Sequence, residues 1–349
     1  MPRISASCSA SSMASRRRPS SSADKAFRTF GRFRVRITAG GRRSMRRISS
    51  LMAGKSGGRA AHRQESGRCM ALGAPLQLHA FEEDGAMDLG LKGKCAVITG
   101  GAKGGIGYAT ARLLAAEGAN IALVDINGDG IAAGVAELTK EFGTEALAVP
   151  CDITSPEAVS EMVATVTGDL APPDILVNSA AVLDNKSFLD SEPADWDRML
   201  GVCLFGPMNV IHALLPGMME RGYGRVVCLA SDAARVGQGR LSYYAAAKGG
   251  VVALVKSVAQ EVGTHGITLN VVSPGATDTD MRKAREVQIK ESMGDDRYAE
   301  YTRKVLRRYP AGRIGEPTDI AGMITYLVSE PASWVTGQVV SVNGGFVMP

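Results

Sequence analysis

The feature that most constrains the fold is a glycine-rich run between a short apolar stretch and a helical pattern. CAVITG (95–100) is typical of a buried strand, and ATARLLAAEG (109–118) is typical of a helix closed by Gly118. Between them lies TGGAKGGIG (99–107). Glycines allow a sharp turn and a close approach of another group to the backbone. A strand, a glycine-rich turn and a helix in this order predict an α/β unit.

The alternation of strand and helix patterns continues along the chain. NIALVDI (120–126) and ALAVPCDI (146–153) are strand-like, and a helical run through Phe142 separates them. A helix follows across PEAVSEMVATV, and DILVNSAA (174–181) is a fourth strand-like stretch. Parallel strands need long crossover connections, which helices provide. We therefore predict an α/β fold with a parallel sheet and helices on both faces.

The glycine-rich run also indicates a dinucleotide site. A helix N-terminus presents free N–H groups and a partial positive charge to a pyrophosphate. Asp125, at the end of the second strand, can accept hydrogen bonds from both ribose hydroxyls of NAD and would repel the 2′-phosphate of NADP. Lys103 indicates the opposite preference, because a cation in the loop could meet that phosphate. We predict NAD, with NADP as the less favoured cofactor and a solvated strand-end acid as the alternative for Asp125.

Two adjacent tyrosines lie in SYYAAAK, and their positions on a helix distinguish them. Residues i and i+4 share a helix face, so Tyr244 and Lys248 can contact one ligand. Tyr243 would point about 100° away. A fifth strand in GRVVCL delivers Ser231 to the same sheet edge. We predict catalytic roles for Ser231, Tyr244 and Lys248; the alternatives are a helix aromatic for Tyr244 and a turn or helix cap for Ser231.

Residues 92–349 resemble the short-chain dehydrogenase/reductase family. The resemblance depends on the order and spacing of several motifs together. These are GAKGGIG, Asp125, VNSAA in place of the usual N-N-A-G, Ser231, YAAAK, NVVSPGATDT (270–279), GRIGEP (312–317) and TGQVVSVNGG (336–345). The resemblance implies a single Rossmann-type, doubly wound sheet of about seven strands, a nicotinamide cofactor, a small-molecule substrate and a homotetramer.

The motifs and the resemblance together give a set of predicted cofactor contacts. Asp152 suits a contact with the adenine edge, although Asp after a strand is also common in turns. Asn178 would line the cofactor cleft, and the Pro-Gly pair of SPGATDT would shape the carboxamide site or form an ordinary turn. The full set is Gly101, Lys103, Gly105, Ile106, Gly107, Asp125, Asp152, Ile153, Asn178, Tyr244, Lys248, Pro274, Gly275, Thr277 and Thr279.

Two departures from the family pattern affect this site. The glycine motif is one residue longer than T-G-x-x-x-G-x-G, so the extra residue is expected at the strand exit, with the usual spacing read from Gly101. VCLFG (202–206) occurs where the family has V-N-L-x-G. Cys203 therefore occupies the position of an asparagine that holds a water in the proton relay. A thiol is a poor hydrogen-bonding substitute for that amide.

The resemblance implies that hydride moves between nicotinamide and a carbonyl or carbinol carbon while Tyr244 exchanges the proton. An unperturbed tyrosine has a pKa near 10, which is too high for an efficient base at neutral pH. We expect Lys248 and the positive nicotinamide to lower the pKa of Tyr244 by about two to three units. Ser231 would hold the substrate oxygen, and Lys248 would also hold the nicotinamide ribose.

The substrate class is suggested by a charged segment at 280–310, which the family uses as a lid. From Arg282 to Arg308 it contains nine Lys and Arg and five acidic residues. This charge would suit a phosphate- or carboxylate-bearing substrate such as an acyl-CoA, and the alternative is a solvated helical face. Local motifs resemble 2-hydroxycyclohexanecarboxyl-CoA dehydrogenases and, almost equally, NADPH-dependent 3-oxoacyl-carrier-protein reductases. A weakly catalytic, cofactor-binding subunit or sensor is the alternative that Cys203 favours.

The N-terminal part differs in composition from the rest. Residues 1–70 contain 17 of the 40 Lys and Arg residues and only two of the 35 acidic residues. Because the remainder is mildly acidic, the net charge of +5 does not indicate nucleic-acid binding. We predict an Arg/Ser-rich disordered extension over 1–86 and one domain over 87–349.

Three interpretations of residues 1–86 remain open. The composition is typical of an organelle transit peptide, which would give a mitochondrial or plastid location. A basic nucleic-acid arm is a weaker second interpretation. The third is a mis-assigned start: Met87 opens the domain, and the codons of Glu82, Glu83, Asp84 and Gly85 are purine-rich, as a bacterial ribosome-binding site would be. We favour the third interpretation and a cytoplasmic location.

The cysteines and the apolar runs exclude other classes of site. The six cysteines (8, 69, 95, 151, 203 and 228) contain no C-x-x-C pair, so neither a metal site nor a disulfide framework is expected. Apolar residues do not form an uninterrupted run of about 18, the length that a membrane-spanning helix requires, so no membrane partner is expected.

Overall fold

The structure is a computed structural model that describes residues 87–348. The predicted extension over 1–86, with its three interpretations, lies outside the described residues. The seven strands are β1 (Cys95–Thr99), β2 (Asn120–Asp125), β3 (Ala146–Pro150), β4 (Ile175–Asn178), β5 (Gly224–Leu229), β6 (Ile267–Pro274) and β7 (Val339–Val342).

Ten α-helices accompany the strands of the described residues. They are α1 (Ile106–Ala116), α2 (Gly128–Phe142), α3 (Pro156–Asp169), α4 (Pro193–Leu200), α5 (Gly206–Arg221), α6 (Ala233–Val236), α7 (Ser242–Val262), α8 (Asp280–Met293), α9 (Asp295–Leu306) and α10 (Pro317–Leu327). A π-helical turn, Gly201–Phe205, joins α4 to α5. Short 3-10 turns occupy Gly263–His265 and Glu330–Ala332.

All seven strands are parallel and lie in the order β3-β2-β1-β4-β5-β6-β7. The prediction of one doubly wound sheet of about seven strands is confirmed. Chain order reverses between β1 and β4, which leaves a crevice at the carboxyl ends of these strands. Any ligand site formed by the strand ends is expected at this edge.

The core has two apolar layers, one on each face of the sheet. Along β1, Cys95 and Val97 belong to one layer, whereas Ala96 and Ile98 belong to the other, as the period of two in a strand requires. Helices α3, α5 and α7 supply buried side chains to the first layer, and α1, α2 and α10 supply them to the second. Because both faces of β1 are covered, the strand is apolar throughout, as in other parallel sheets.

Several predicted boundaries differ from the structure for local reasons. The first helix begins at Ile106, three residues before the predicted start, because Gly105 already serves as its N-cap. Strand β3 ends at Pro150, and Asp152 begins a turn in which its Oδ1 accepts a hydrogen bond from the amide of Thr154 (2.9 Å). An Asp side chain that bonds its own backbone two residues on ends a strand in this way.

One long helical stretch meets the length and composition of a membrane span. Pro193–Arg221 runs through α4, the π-helical turn and α5 with a mean hydropathy of 1.6. The prediction from uninterrupted apolar runs did not detect it. Val210, Leu214 and Met218 of this stretch are buried in the first core layer. A core helix of a globular protein has the same length and composition, so this finding is weak evidence for a membrane.

Candidate active site

A cavity of about 930 Å³ lies at the carboxyl edge of the sheet. Its wall is formed by the glycine-rich loop after β1, the ends of β2, β5 and β6, the start of α7, and the predicted lid, which consists of α8 and α9. Neither lid helix has a fully buried residue. The sequence elements that were predicted to meet at this edge are therefore parts of one cavity.

The glycines of the loop have different functions. Gly105 lies on the cavity wall, and a Cβ built on it would have no neighbour closer than 3.9 Å. Gly107 lies behind the wall, where a Cβ would be 2.3 Å from the Gly100 carbonyl oxygen. Gly101 is also behind the wall and packs under Leu123. Neither Gly101 nor Gly107 lies on the cavity wall, so the structure assigns both to packing within the loop, and their contact with a cofactor stays a prediction.

The extra residue of the glycine motif forms a turn at the strand exit, where it was expected. Gly100 has φ of +66°, and a Cβ there would lie 2.6 Å from the Ala180 amide nitrogen. After this turn, α1 begins with Gly105 as N-cap, and no side chain accepts its first amide groups. A helix N-terminus without a side-chain cap suits an anionic group such as a pyrophosphate. Together with the cavity volume, these features fit a dinucleotide cofactor.

The two charged residues that bear on cofactor choice are both held by other groups. Asp125 Oδ2 accepts a hydrogen bond from the Ala102 amide (3.2 Å), and Oδ1 accepts one from the Asn127 amide (3.0 Å). The Lys103 ammonium forms an ion pair with Glu137 on α2. Both Asp125 and Lys103 line the cavity. The carboxylate is fixed against the glycine-rich loop, whereas the Lys103 ammonium is paired with a carboxylate that it shares with Arg112.

Asn178 was predicted to line the cofactor cleft, and the structure places it elsewhere. It is 3% exposed and lies outside the cavity wall. Its Oδ1 accepts a hydrogen bond from Thr99 Oγ1 (3.3 Å), and its Nδ2 contacts Cys228 Sγ at 3.5 Å. The register of β4 sets these contacts, because Asn178 pairs with Thr99 on one side and Cys228 on the other. The following segment, Ser179–Leu183, lines the cavity instead.

The remaining predicted cofactor residues lie on the cavity wall. Ile153 is a buried wall residue, and Asp152 is exposed beside it. Thr279 caps the N-terminus of α8, where its Oγ1 accepts a hydrogen bond from the Arg282 amide at 3.3 Å. The wall residues of this group are Ile106, Asp152, Ile153, Pro274, Gly275, Thr277 and Thr279.

Ser231, Tyr244 and Lys248 line the same cavity. Lys248 is 2% exposed, and its Nζ donates a hydrogen bond to the Leu229 carbonyl (2.8 Å). That nitrogen is 6.0 Å from the centre of the Tyr244 ring. Tyr243 points elsewhere, as the helix geometry predicts: its hydroxyl donates a hydrogen bond to Asp184 (2.5 Å). Of the two adjacent tyrosines, only Tyr244 reaches the cavity.

Burial changes the acidity of both Tyr244 and Lys248. It raises the pKa of the Tyr244 phenol, with the neighbouring Cys203 acting in the same direction and a hydrogen bond with Ser231 opposing it. Burial lowers the pKa of the Lys248 ammonium. The sequence-based expectation joined Lys248 with the positive nicotinamide, and it stays a prediction for the cofactor-bound chain. In the chain alone, desolvation of the phenol is the largest cause of its raised pKa.

Cys203 lies on the π-helical turn and is fully buried. Its Sγ is 3.5 Å from the Val182 carbonyl oxygen and 3.8 Å from the Met199 sulfur. It lies in a small apolar cluster with Met199, Tyr243 and Ala247, and does not line the cavity. The thiol packs beside the Tyr244 side chain without reaching the position that a ligand would occupy.

Asp232 directly follows Ser231 in the chain and was not among the residues predicted from the sequence. This carboxylate is almost fully buried and accepts hydrogen bonds from Ser273 Oγ (2.8 Å), Ser341 Oγ (3.3 Å) and the Asn343 amide. It joins the end of β5 to β6 and to the segment after β7. A charged residue at the end of an otherwise apolar strand was the available signal. Among residues 87–348, no cluster of metal-ligating side chains occurs.

Comparisons with known proteins support one family. The sequence profile of a family described as Enoyl-(Acyl carrier protein) reductase matches residues 100–347. An uncharacterized short-chain type dehydrogenase/reductase of Sinorhizobium fredii is 34% identical over 261 residues, which are 74% of this chain and 99% of that protein. The 3-oxoacyl-[acyl-carrier-protein] reductase FabG of Vibrio harveyi is 34% identical over 260 residues, which are 74% of this chain and 100% of that protein.

Solved structures of reductases are also similar to this chain. The L-sorbose reductase of Gluconobacter frateurii, complexed with NADPH and L-sorbose, has a TM-score of 0.71 and 30% identity, covering 75% of this chain and 100% of that chain. A levodione reductase has a TM-score of 0.68 and 32% identity, covering 73% of this chain and 97% of that chain. The structural similarity therefore extends over about three quarters of this chain.

Proposed function

Because the chain belongs to the short-chain dehydrogenase/reductase family and is an oxidoreductase of alcohol and ketone groups with a nicotinamide cofactor, we propose that it uses NAD and acts on a hydroxyacyl-CoA-type substrate. The observation that carries the choice of NAD is the position of Asp125. Its carboxylate is fixed at the end of β2 by the Ala102 and Asn127 amides. A negative charge held there favours ribose hydroxyls over a ribose phosphate.

Lys103 supports the same choice. A cation beside the ribose would favour NADP, but the Lys103 ammonium is paired with Glu137. Glu137 also accepts a hydrogen bond from Arg112 (2.9 Å), so the acid belongs to a network on the outer side of the loop. A 2′-phosphate would compete with Glu137 for the Lys103 ammonium and would also approach the Asp125 carboxylate.

In the proposed reaction, Tyr244 exchanges a proton with the substrate oxygen. Ser231 donates a hydrogen bond to that oxygen and keeps it within reach of the phenol. Lys248 supplies positive charge that favours the phenolate, and it positions the nicotinamide ribose. When bound, the nicotinamide gives or takes the hydride and, in its oxidised form, adds a positive charge to the site.

An alternative is an NADPH-dependent 3-oxoacyl-[acyl-carrier-protein] reductase. It is supported by the 34% identity to the FabG protein of Vibrio harveyi. The L-sorbose reductase among the similar structures is complexed with NADPH. The fold and the Ser231, Tyr244 and Lys248 arrangement suit either reaction, so the cofactor and the acyl carrier distinguish the two.

The decisive experiment is a steady-state screen that follows the absorbance of reduced nicotinamide. NAD and NADP are each paired with cyclic and linear hydroxyacyl-CoA thioesters, the matching 3-oxoacyl thioesters and simple secondary alcohols. We expect NAD to give a kcat/KM at least about 10-fold higher than NADP, and Asp125→Ala to lose this preference. A preference for NADPH with 3-oxoacyl carrier-protein substrates would replace the proposal with the alternative.

A different class of function, a cofactor-binding subunit or sensor with weak activity, is supported by Cys203 alone. The Cys203→Asn variant distinguishes this subunit or sensor from the proposed dehydrogenase. If Asn restores a water-holding amide, a large gain in turnover identifies a degraded enzyme. If the unmodified chain turns over steadily and Cys203→Asn changes kcat by only a few-fold, the sensor is excluded.

We also propose a cytoplasmic homo-oligomer, with a tetramer as the expected size. Apolar side chains exposed on the described surface support the assembly, namely Phe205, Met208 and Trp334, the last of which is 98% exposed. The bacterial relatives support the location. Light scattering of the purified chain measures the subunit number, and a monomer would contradict the assembly.

A further inference from the structure

Some cationic side chains on the cavity wall form an ion pair with a carboxylate, and others do not. Lys103 is paired with Glu137, Arg198 with Asp184 (3.2 Å), and Arg282 with Glu286 (3.1 Å). Lys248 also lines the cavity, but its side chain is almost fully buried and its ammonium donates a hydrogen bond to a backbone carbonyl. Two further wall cations, Arg285 and Arg308, form no ion pair with any carboxylate of residues 87–348.

Arg285 is the more buried of the two, because the Arg308 side chain is exposed. Arg285 lies on α8, is half-buried, and its Nε is buried without a hydrogen-bond partner among the described residues. The nearest acid in sequence, Glu286, is already committed to Arg282 and to the Tyr298 hydroxyl (2.8 Å). A buried guanidinium N–H that lacks an acceptor is costly, and a ligand oxygen removes that cost.

Arg308 lies after α9, at the other end of the lid, and is held by aromatic rings. Its guanidinium carbon is 4.4 Å from the centre of the Phe346 ring, and this ring stacks on Tyr309 with centroids 5.0 Å apart. All three residues line the cavity. Stacking on Phe346 restricts the side chain and leaves the in-plane N–H groups available to an acceptor.

We propose that Arg285 and Arg308 form an anion subsite on the lid wall that binds a carboxylate or phosphate of the substrate. The inference depends on the proposed function, because it assigns the group that accompanies the alcohol or ketone. Guanidinium groups bind both anions through paired N–H donors. The enzyme would therefore select secondary alcohols and ketones that carry an anionic group over neutral ones. The source of the anion is the substrate, not the pyrophosphate of the cofactor, which the glycine-rich loop accommodates.

The test compares substrates that differ only in charge. One pair is a 3-oxo acid and its methyl ester; the other is a 3-oxoacyl-CoA and its neutral N-acetylcysteamine thioester, which lacks the phosphates. The variants are Arg285→Gln and Arg308→Gln. The control is Arg303→Gln, which removes the same charge from an exposed position of α9 that does not line the cavity.

We expect the wild-type chain to favour the anionic member of at least one pair, and this pair identifies the anion as carboxylate or phosphate. Arg285→Gln and Arg308→Gln should raise KM for that member by about 10- to 100-fold and leave the neutral member within a few-fold. Arg303→Gln should change neither. Equal losses for both members, or a larger loss in cofactor affinity than in substrate affinity, would overturn the subsite.

A binding measurement separates this inference from the proposed function. Calorimetry of the acid, the ester and CoA with the NAD-loaded full chain measures the anion preference without turnover. Tighter binding of the anionic compound to the wild type than to Arg285→Gln supports the subsite, even if no compound is oxidised or reduced. The same affinity in both proteins rejects the subsite, and a normal dehydrogenase activity would then leave the proposed function in place.

Discussion

The Tyr244 phenol and the Lys248 ammonium lie on one face of α7 and differ in what burial does to them. Burial raises the pKa of the phenol and lowers that of the ammonium, so each is shifted towards its neutral form. The i, i+4 spacing gives the two groups proximity, but it does not by itself provide a phenolate at neutral pH. In the proposed reaction, the positive charge of oxidised nicotinamide must offset the cost of desolvation.

The first prediction compares the two adjacent tyrosines. Tyr244→Phe removes the proposed proton donor and acceptor and should lower kcat by about 100- to 10,000-fold, with NAD affinity little changed. Tyr243→Phe removes a hydrogen bond to Asp184. It should cost about 1 kcal/mol in the free energy of unfolding and change kcat only a few-fold. Turnover assays, NAD titration and denaturant unfolding measure these effects, and an unchanged kcat in Tyr244→Phe would contradict the proposed mechanism.

The second prediction concerns pH. Because the pKa of Tyr244 is raised, the phenol is protonated at neutral pH, and only the deprotonated form accepts a proton from an alcohol. Below the pKa that Tyr244 has with oxidised nicotinamide bound, kcat/KM for alcohol oxidation should rise by up to about 10-fold per pH unit. Ketone reduction needs the protonated phenol, so its rate should be level near neutrality and fall only at strongly alkaline pH. A pH–rate profile in both directions measures this; an oxidation rate that falls as pH rises through the neutral range would disagree.

Among the secondary-structure elements and their connections, the loop between β1 and α1 contains glycines that are required for different structural reasons. Gly107 is required by the approach of the Gly100 carbonyl, whereas Gly105 keeps the cavity wall free of a side chain. The π-helical turn Gly201–Phe205 is a similar local device, which places Cys203 beside Tyr244 and Gly206 against Ile153. In the loop and beside the π-helical turn, neighbouring segments approach more closely than a residue with a side chain would allow.

The third prediction separates the two glycines. In Gly107→Ala, the new Cβ would lie 2.3 Å from a carbonyl oxygen, so the free energy of unfolding should fall by about 1–3 kcal/mol. Gly105→Ala should cost about 1 kcal/mol or less in stability, because the space is open. It should nevertheless weaken NAD binding by roughly 10-fold, since the methyl group enters the cavity. Thermal unfolding and NAD titration measure both quantities, and a Gly107→Ala protein as stable as the wild type would show that the loop can relax.

At the scale of the whole molecule, the sheet and its helices account for the similarity to known proteins. The relatives match over nearly their whole length but over about three quarters of this chain. The described residues begin at Met87, and the two core layers cover both faces of the central strands. The lid helices α8 and α9 are the α-helices of the described residues that contribute no fully buried residue, so their displacement would expose little of the core.

The fourth prediction tests the proposed domain boundary. A chain that begins at Met87 should have the same thermal unfolding midpoint and the same kcat/KM, within a few-fold, as the full chain, because both apolar layers and the cavity come from the described residues. Mass spectrometry of the native protein tests the start site: peptides from residues 1–80 would reject the mis-assigned start. Loss of cofactor binding in the shortened chain would show that the extension contributes to the site.

Features that depend on near neighbours along the chain were predictable from the sequence. The alternation of apolar strands and helices predicts the doubly wound sheet, and the i, i+4 rule assigns Tyr244 and Lys248 to one face. The glycine spacing locates the extra residue at the strand exit. These predictions succeed because periodicity and turn geometry are set by residues within a few positions of one another.

Which of the predicted residues lie on the cavity wall depends on how distant segments pack together. The same packing sets the hydrogen-bond partners and the pKa values of these side chains. Asn178 lies outside the cavity wall because strand register aligns it with Thr99 and Cys228. The Lys103 ammonium forms an ion pair with Glu137 from the next helix. The raised pKa of Tyr244 and the buried Asp232 network also depend on residues distant in sequence. Hydrogen-bond partners and desolvation are properties of three-dimensional packing, so no local pattern in the sequence encodes them.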